Sequence, residues 1–483
     1  MAMKGIVRNF KPLEILTEEQ VESIHRGTLQ VLWQTGIRME HPGALKILEE
    51  AGCNVDHSEM RVKFPTDLVD ECMRRTPRVF HVKARDQKND LMLGGNVSYL
   101  FPFPGMQTVD LNTWEPRMAT RDENYDAVVV MDALNTIHIM SPYCPYFGFE
   151  GVPPVMAISE STAAKLRNST KIQMTGYALG CEIFDIQMAK AAGTEVIGDC
   201  LSSPPLTYYG EAIDSLLRYV QAGLPCWIAG GSVCGGSAPA TVAWSMITNN
   251  AELVAGVVLA QVVKPGARIA CGNFTFPQNM RSGSPAFGAI GVSLHQVVFN
   301  QIWRRYGIPF GGGASGCPSS KRIDIQNGYE KAIAALIFIL SGANGVSLHG
   351  GISSELTFHP VQAVLDDDIA GMIERFMEGV EVSNETMALD LIEQVGPIPG
   401  FYLDKEHTRK WWKKEQFVPQ VADWLTYPEW MEEGKKSALD YAMERMEKIL
   451  ATHRLTPLAP SQEEDIEKIL EEERKYYKGK GLM

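Results

Sequence analysis

Apolar positions recur at helical spacing between Thr17 and Gly36, where Val21, Ile24, Leu29 and Leu32 share one side. Thr17 stands where an N-cap belongs, Glu19 and Gln20 follow it, and Gly36 closes the run, so a helix is predicted. The segments HPGALKILEEAG and PTDLVDECMRRTP predict two more helices, RVKFP and VFHVKARD short strands, and NVSYLFPFPG with MQTVDLNTWEPRMAT a hairpin. Residues 1–120 are therefore expected to form an α+β extension.

From Thr120 onward a helical stretch is repeatedly followed by a short apolar strand that ends in Gly, Ser, Pro or an aromatic residue. Strands are predicted at 137–142, 172–179, 205–210, 226–230, 268–274, 309–313 and 345–350, with an eighth near 401–404. Three of the intervening helices end in Ala-Gly or Tyr-Gly just before the next strand, at Gly193, Gly223 and Gly307, as helix C-caps do. Repetition of this βα unit over residues 121–404 predicts an α/β protein with a TIM (β/α)8 barrel as its catalytic core. A doubly wound open sheet is the alternative, but no GxGxxG follows the first strand to open a dinucleotide site. Residues 405–483, charged and rich in Trp before turning helical, are expected to form a C-terminal helical subdomain.

Composition narrows the partners. Forty-five Lys and Arg against 58 Asp and Glu give a formal charge of −13, which opposes binding to nucleic acid. The longest apolar runs, 253–263 and 332–340, are shorter than the roughly 20 residues needed to cross a bilayer, so no membrane span is expected. The stretch MAMKGIVRNFKPLEIL lacks the apolar centre of a secretory signal, and a cytoplasmic location is expected. Nine Cys without a CxxC argue against a disulfide framework or a zinc knuckle and for buried thiols.

In a barrel of this kind the site is built at the C-terminal ends of the strands. The side chains expected there include Tyr143, Tyr177, Tyr208, Tyr209, Trp227, Asn273, Phe274, the Gly311, Gly312, Gly313 run and His349. The absence of a carboxylate pair and of a strand Lys argues against glycoside hydrolysis and Schiff-base chemistry. His349 and His359 have no second ligand at metal-binding spacing, so no metal site is expected. Asp366, Asp367 and Asp368 are read as the N-cap and first turn of the helix that follows them. Rings from several strands suit a cation whose charge is spread over methyl groups, a quaternary amine for example, although the same rings can simply plug the barrel. The glycine run lacks the GxxxxGK[ST] spacing of a phosphate loop; it implies close approach of something bulky or a tight strand-to-helix loop.

Three stretches carry a family resemblance: Asp324 to Glu330 (DIQNGYE), Ala343 to Gly350 (ANGVSLHG), and Glu406-His407-Thr408-Arg409 through Trp430 and Gly434. Together they resemble the corrinoid-dependent trimethylamine methyltransferase family, over nearly the whole chain. The resemblance implies a TIM barrel that moves a methyl group from a methylated amine to the Co(I) of a separate corrinoid protein. The chain itself would hold no permanent cofactor, the acceptor being the cobalamin of that partner. Trimethylamine-specific members carry pyrrolysine in or near the stretch matching Asp324 to Glu330, where this chain has only ordinary residues. Members without pyrrolysine resemble quaternary amine demethylases, which implies glycine betaine as substrate and dimethylglycine as product. Another betaine (proline betaine, carnitine or a butyrobetaine), a tertiary methylamine, or a barrel that only binds betaine are the alternatives. On this reading no side chain acts as acid or base. Tyr209, Trp227 and Phe274 would cage the ammonium group, with Asn273 beside them. His349, with Asn327 as second candidate, would meet the carboxylate, and Gly311, Gly312 and Gly313 would face the corrinoid. A homo-oligomer is expected.

Overall fold

The computed structural model describes residues 5–483; the first four residues of the stretch examined for a secretory signal lie outside the described residues. Eight parallel strands close into a barrel: β1 (Val97–Pro102), β2 (Ile139–Met140), β3 (Ile172–Thr175), β4 (Val196–Leu201), β5 (Cys226–Gly230), β6 (Ile269–Asn273), β7 (Phe310–Gly312) and β8 (Gly345–His349). Pairing of β8 with β1, in register at Gly345 and Tyr99, joins one edge. The other edge closes where Ile137 bridges Leu100 and the His138 N–H donates to the Leu100 carbonyl at 2.9 Å. The strands are almost wholly buried on both faces, which explains why they read as short apolar runs rather than as alternating ones.

Each strand is followed by a helix: α1 (Arg121–Ala133), α2 (Ala157–Asn168), α3 (Glu182–Ala192), α4 (Gly210–Ala222), α5 (Val242–Val263), α6 (Ile290–Tyr306), α7 (Ile325–Leu340) and α8 (Pro360–Glu378). The three glycines expected as C-caps end α3, α4 and α6 with φ of 73°, 77° and 71°. There an L side chain would strain against the backbone. α5 is long and apolar enough to cross a membrane, but 78% of its most apolar stretch is buried inside the protein.

Two strand expectations are corrected. Residues 205–210 do not enter the barrel: only Thr207–Tyr208 is extended, pairing with Ile37–Met39 in a four-stranded side sheet that ties the N-terminal region to the barrel. The barrel strand at that place is β4, whose central Gly198 and Asp199 interrupt its apolar pattern. The eighth strand is not at 401–404, which is not extended. It is β1, within the region expected to be a separate extension, so the barrel draws on the chain from Val97 onward. The stretch NVSYLFPFPG reads as half of a hairpin, yet all six residues of β1 are buried between barrel neighbours.

The N-terminal helix has the expected capping box, Thr17 with Gln20, and passes through a π turn before Gly36. At the other end, α9 (Glu406–Gln416) is tied to α8 by Arg375, which donates to the Lys414 carbonyl and to Glu415, each at 2.7 Å, while α10 (Ala438–Thr452) packs against α8 and α11 (Pro460–Gly479) against α3. Eight of the nine Cys are buried free thiols; Cys234 is half-buried.

Candidate active site

A cavity of about 260 Å³ opens among the C-terminal ends of the strands. Its rings come from four strands or the loops just beyond them: Phe101 and Phe103 at the end of β1, Tyr143 after β2, Trp227 near the start of β5 and Phe274 after β6. The Trp227 indole lies across the barrel interior, its ring centroid 6.4 Å from that of Phe101 in an edge-to-face arrangement. Room for it comes from three neighbouring strands. A Cβ on Gly272 would sit 2.2 Å from the indole nitrogen, and one on Gly311 or Gly345 would sit 2.8 or 2.7 Å from Cη2. Phe103 and Phe274 stack nearly parallel at 5.6 Å. Tyr143 holds a left-handed backbone, φ 58°, which aims its ring at the cavity wall; a non-glycine residue accepts that conformation only where the surroundings enforce it.

One charged side chain lines the cavity. Asp199 on β4 is the register partner of Trp227 on β5, so the two stand side by side on the barrel's inner face. It receives a hydrogen bond from the Cys200 backbone N–H, and burial pushes its carboxyl up to about 7. Among the described residues no Lys, Arg or His lines the cavity. The other polar groups are largely committed. The Ser202 hydroxyl donates to Glu252 at 2.6 Å, and the Asn273 amide accepts from Asn249 at 3.2 Å and donates to Gln296 at 2.9 Å.

Of the expected site residues, the structure brings Tyr143, Trp227, Phe274, Asn273 and Gly313 to one cavity and leaves the others outside. Tyr209 caps α4 and is 55% exposed, because the stretch that carries it runs in the side sheet. His349 is fully buried beyond a register break in β8, its Nε2 2.9 Å from the Thr136 hydroxyl, and burial holds its pKa well below the ordinary value. Asn327 is buried in the first turn of α7, behind Asp324, whose carboxylate accepts its backbone N–H. Gly311 makes room for Trp227, and Gly312 backs onto Gln296 and Phe338, so neither forms a loop facing outward; Gly313 faces Phe274 and Phe103.

The aspartate run is also corrected. α8 begins at Pro360 with His359 as its cap, which places Asp366, Asp367 and Asp368 in its interior. Each carboxylate is matched by a different element: Asp366 by Lys331 of α7, Asp367 by Arg445 of α10, and Asp368 by the backbone N–H groups of Gln420, Val421 and Ala422. The run thus ties three parts of the chain to α8.

Phe101, Phe103 and Asp199 were not among the expected site residues. The alternation FPFPG, rings between prolines straight after a buried run, is a signal for the first two. Asp199 could be found only by recognising β4.

The sequence model of the family described as Trimethylamine methyltransferase (MTTB) matches residues 1–476. The chain belongs to this methyltransferase family. Glycine betaine methyltransferase of Desulfitobacterium hafniense (strain Y51) is 29% identical over 451 residues, covering 91% of this chain and 92% of the relative. Trimethylamine methyltransferase MttB of D. hafniense (strain DSM 10664 / DCB-2) is 26% identical over 478 residues, covering 95% and 94%. Among solved structures, the hydroxylamine complex of MtmB superposes with a TM-score of 0.54 at 12% identity, covering 99% of this chain and 90% of that one. The monomethylamine methyltransferase of Methanosarcina barkeri gives 0.51 at 13%, covering 91% and 89%. These two support the barrel fold, and the family makes the chain an enzyme.

Proposed function

We propose that this methyltransferase takes a methyl group from a small methylated ammonium compound bound in the Trp227 cavity and passes it to the Co(I) of a partner corrinoid protein. The observation that carries the reading is the wall itself: five rings and one carboxylate, with no cationic side chain among the described residues, at the face of the barrel where ligands are met. The corrinoid, carried on the partner, supplies the nucleophile. This chain's residues bind and aim. Rings around a methylated cation replace water with contacts that favour positive charge, and a rigid wall holds the reacting methyl toward the opening. When the C–N bond breaks, its electron pair stays on nitrogen and a neutral amine leaves, so no side chain need donate a proton. That suits a site whose one titratable carboxyl faces the ammonium end.

Glycine betaine, named for the Desulfitobacterium relative, belongs in the first assay beside choline and trimethylamine. The purified chain is mixed with reduced corrinoid protein and each amine in turn. Loss of the Co(I) absorbance together with the demethylated product is expected for at least one of them. Binding without product from any would support a binding-only barrel and sink the reading.

A further inference from the structure

The cavity's charge inventory says more about the ligand than its rings do. Asp199 is the one charged side chain on the wall, and no Lys, Arg or His among the described residues lines it. Asn273 and Ser202, whose polar groups could meet a carboxylate, are held by Asn249, Gln296 and Glu252. His349 and Asn327 lie elsewhere. What remains for an anionic group is the Ser141 hydroxyl, the Tyr143 phenol and the Trp227 N–H, all in a space that already contains a carboxylate. A second carboxylate brought there would lose its water and meet a like charge, with no cationic side chain among the described residues to balance it. An ammonium group without an acid meets the opposite situation: rings on several sides and one counter-charge beside Trp227.

Resting on the proposed function, we infer that the site is built for a monocationic methylammonium compound that carries no acid group, with Asp199 as the specificity-determining counter-ion. A neutral hydroxyl or alkyl arm on the nitrogen is compatible with the wall; a carboxylate arm is not. Discrimination of this kind works by repelling the wrong ligand as much as by holding the right one.

The test is binding by calorimetry to the full chain at pH 8, without corrinoid, using choline, the neutral carbon analogue of choline, and glycine betaine. Choline is expected to bind at least tenfold more tightly than either. Asp199→Asn should weaken choline by tenfold or more and change glycine betaine by threefold or less, which closes the gap between them; a thermal melt checks that the variant is folded. The wild-type ratio stands even if the variant does not fold. Glycine betaine binding as tightly as choline or tighter, or an Asp199→Asn variant that keeps the wild-type ratio, overturns the inference. In the first case the methyl-transfer reading survives, with a betaine as substrate. Failure of every ammonium compound to bind would instead remove the cavity reading on which both rest.

Discussion

Asp366 and Asp199 are both buried aspartates on the barrel, yet their surroundings differ in kind. Asp366 accepts from the Lys331 ammonium at 2.5 Å, the Gly350 N–H at 2.8 Å and the Gln362 amide at 2.8 Å. Burial works against both charges of the pair, lowering Lys331 and raising Asp366, and their mutual attraction offsets it. Asp199 has a backbone N–H from its neighbour, no cationic partner among the described residues and a cavity in front of it. A carboxylate whose hydrogen-bonding capacity is filled by its own chain serves the fold. One left short of partners beside an open space is available to a ligand.

Breaking the filled site should have the largest effect. Asp366→Ala leaves the Lys331 ammonium buried and unpaired, which costs about 3–5 kcal/mol, read as a lower midpoint in urea. Ligand affinity of the remaining folded protein should be unchanged; a selective loss of ammonium binding would assign Asp366 to the site.

His349→Ala sharpens the same division. Removing the ring takes away the Thr136 partner in a closed interior, at a cost of about 1–3 kcal/mol in unfolding free energy. The Michaelis constants for choline and glycine betaine should not move. A specific rise for the carboxylate-bearing compound would restore His349 to the site.

On the cavity side, Phe274→Leu keeps an apolar wall but removes a ring stacked on Phe103. A loss of about 0.5–2 kcal/mol in ammonium binding is expected, the range of one cation–ring contact, with the neutral carbon analogue unaffected. Equal losses for both would mean that the ring only fills space.

The smallest effect is the pH dependence. Burial raises the folded-state pKa of Asp199 to about 7, so its contribution to stability is present at low pH and is lost as pH rises through that value. A cationic ligand favours the ionised form. The rise in melting temperature on adding choline should therefore be larger at pH 8 than at pH 6, and Asp199→Asn should flatten the difference. A choline-induced rise that is independent of pH would separate Asp199 from the cation.

Much of this was legible in the chain. The N-cap at Thr17, the glycine C-caps at Gly193, Gly223 and Gly307 and six of the barrel strands are written locally, because caps and buried strands depend on neighbouring residues and on the backbone. The ring content of the strands was legible too: Phe274 directly follows β6 as expected, whereas Trp227, expected at a strand's C-terminal end, stands near the start of β5. Strand β4 was hidden because Gly198 and Asp199, the residues that shape the barrel interior there, break the apolar pattern that marks a strand.

By itself the sequence determined the βα rhythm, the glycine C-caps at Gly193, Gly223 and Gly307, and the family. Tertiary structure alone decided that β1 closes the barrel, that Asp199 stands beside Trp227, that glycines on three other strands clear space for the indole, and that His349 turns to Thr136. The physical reason is that hydrophobic periodicity reports whether a residue is buried. Which buried group it meets depends on the register between strands far apart in the chain, and that register decides whether an aspartate finds a lysine or an empty cavity.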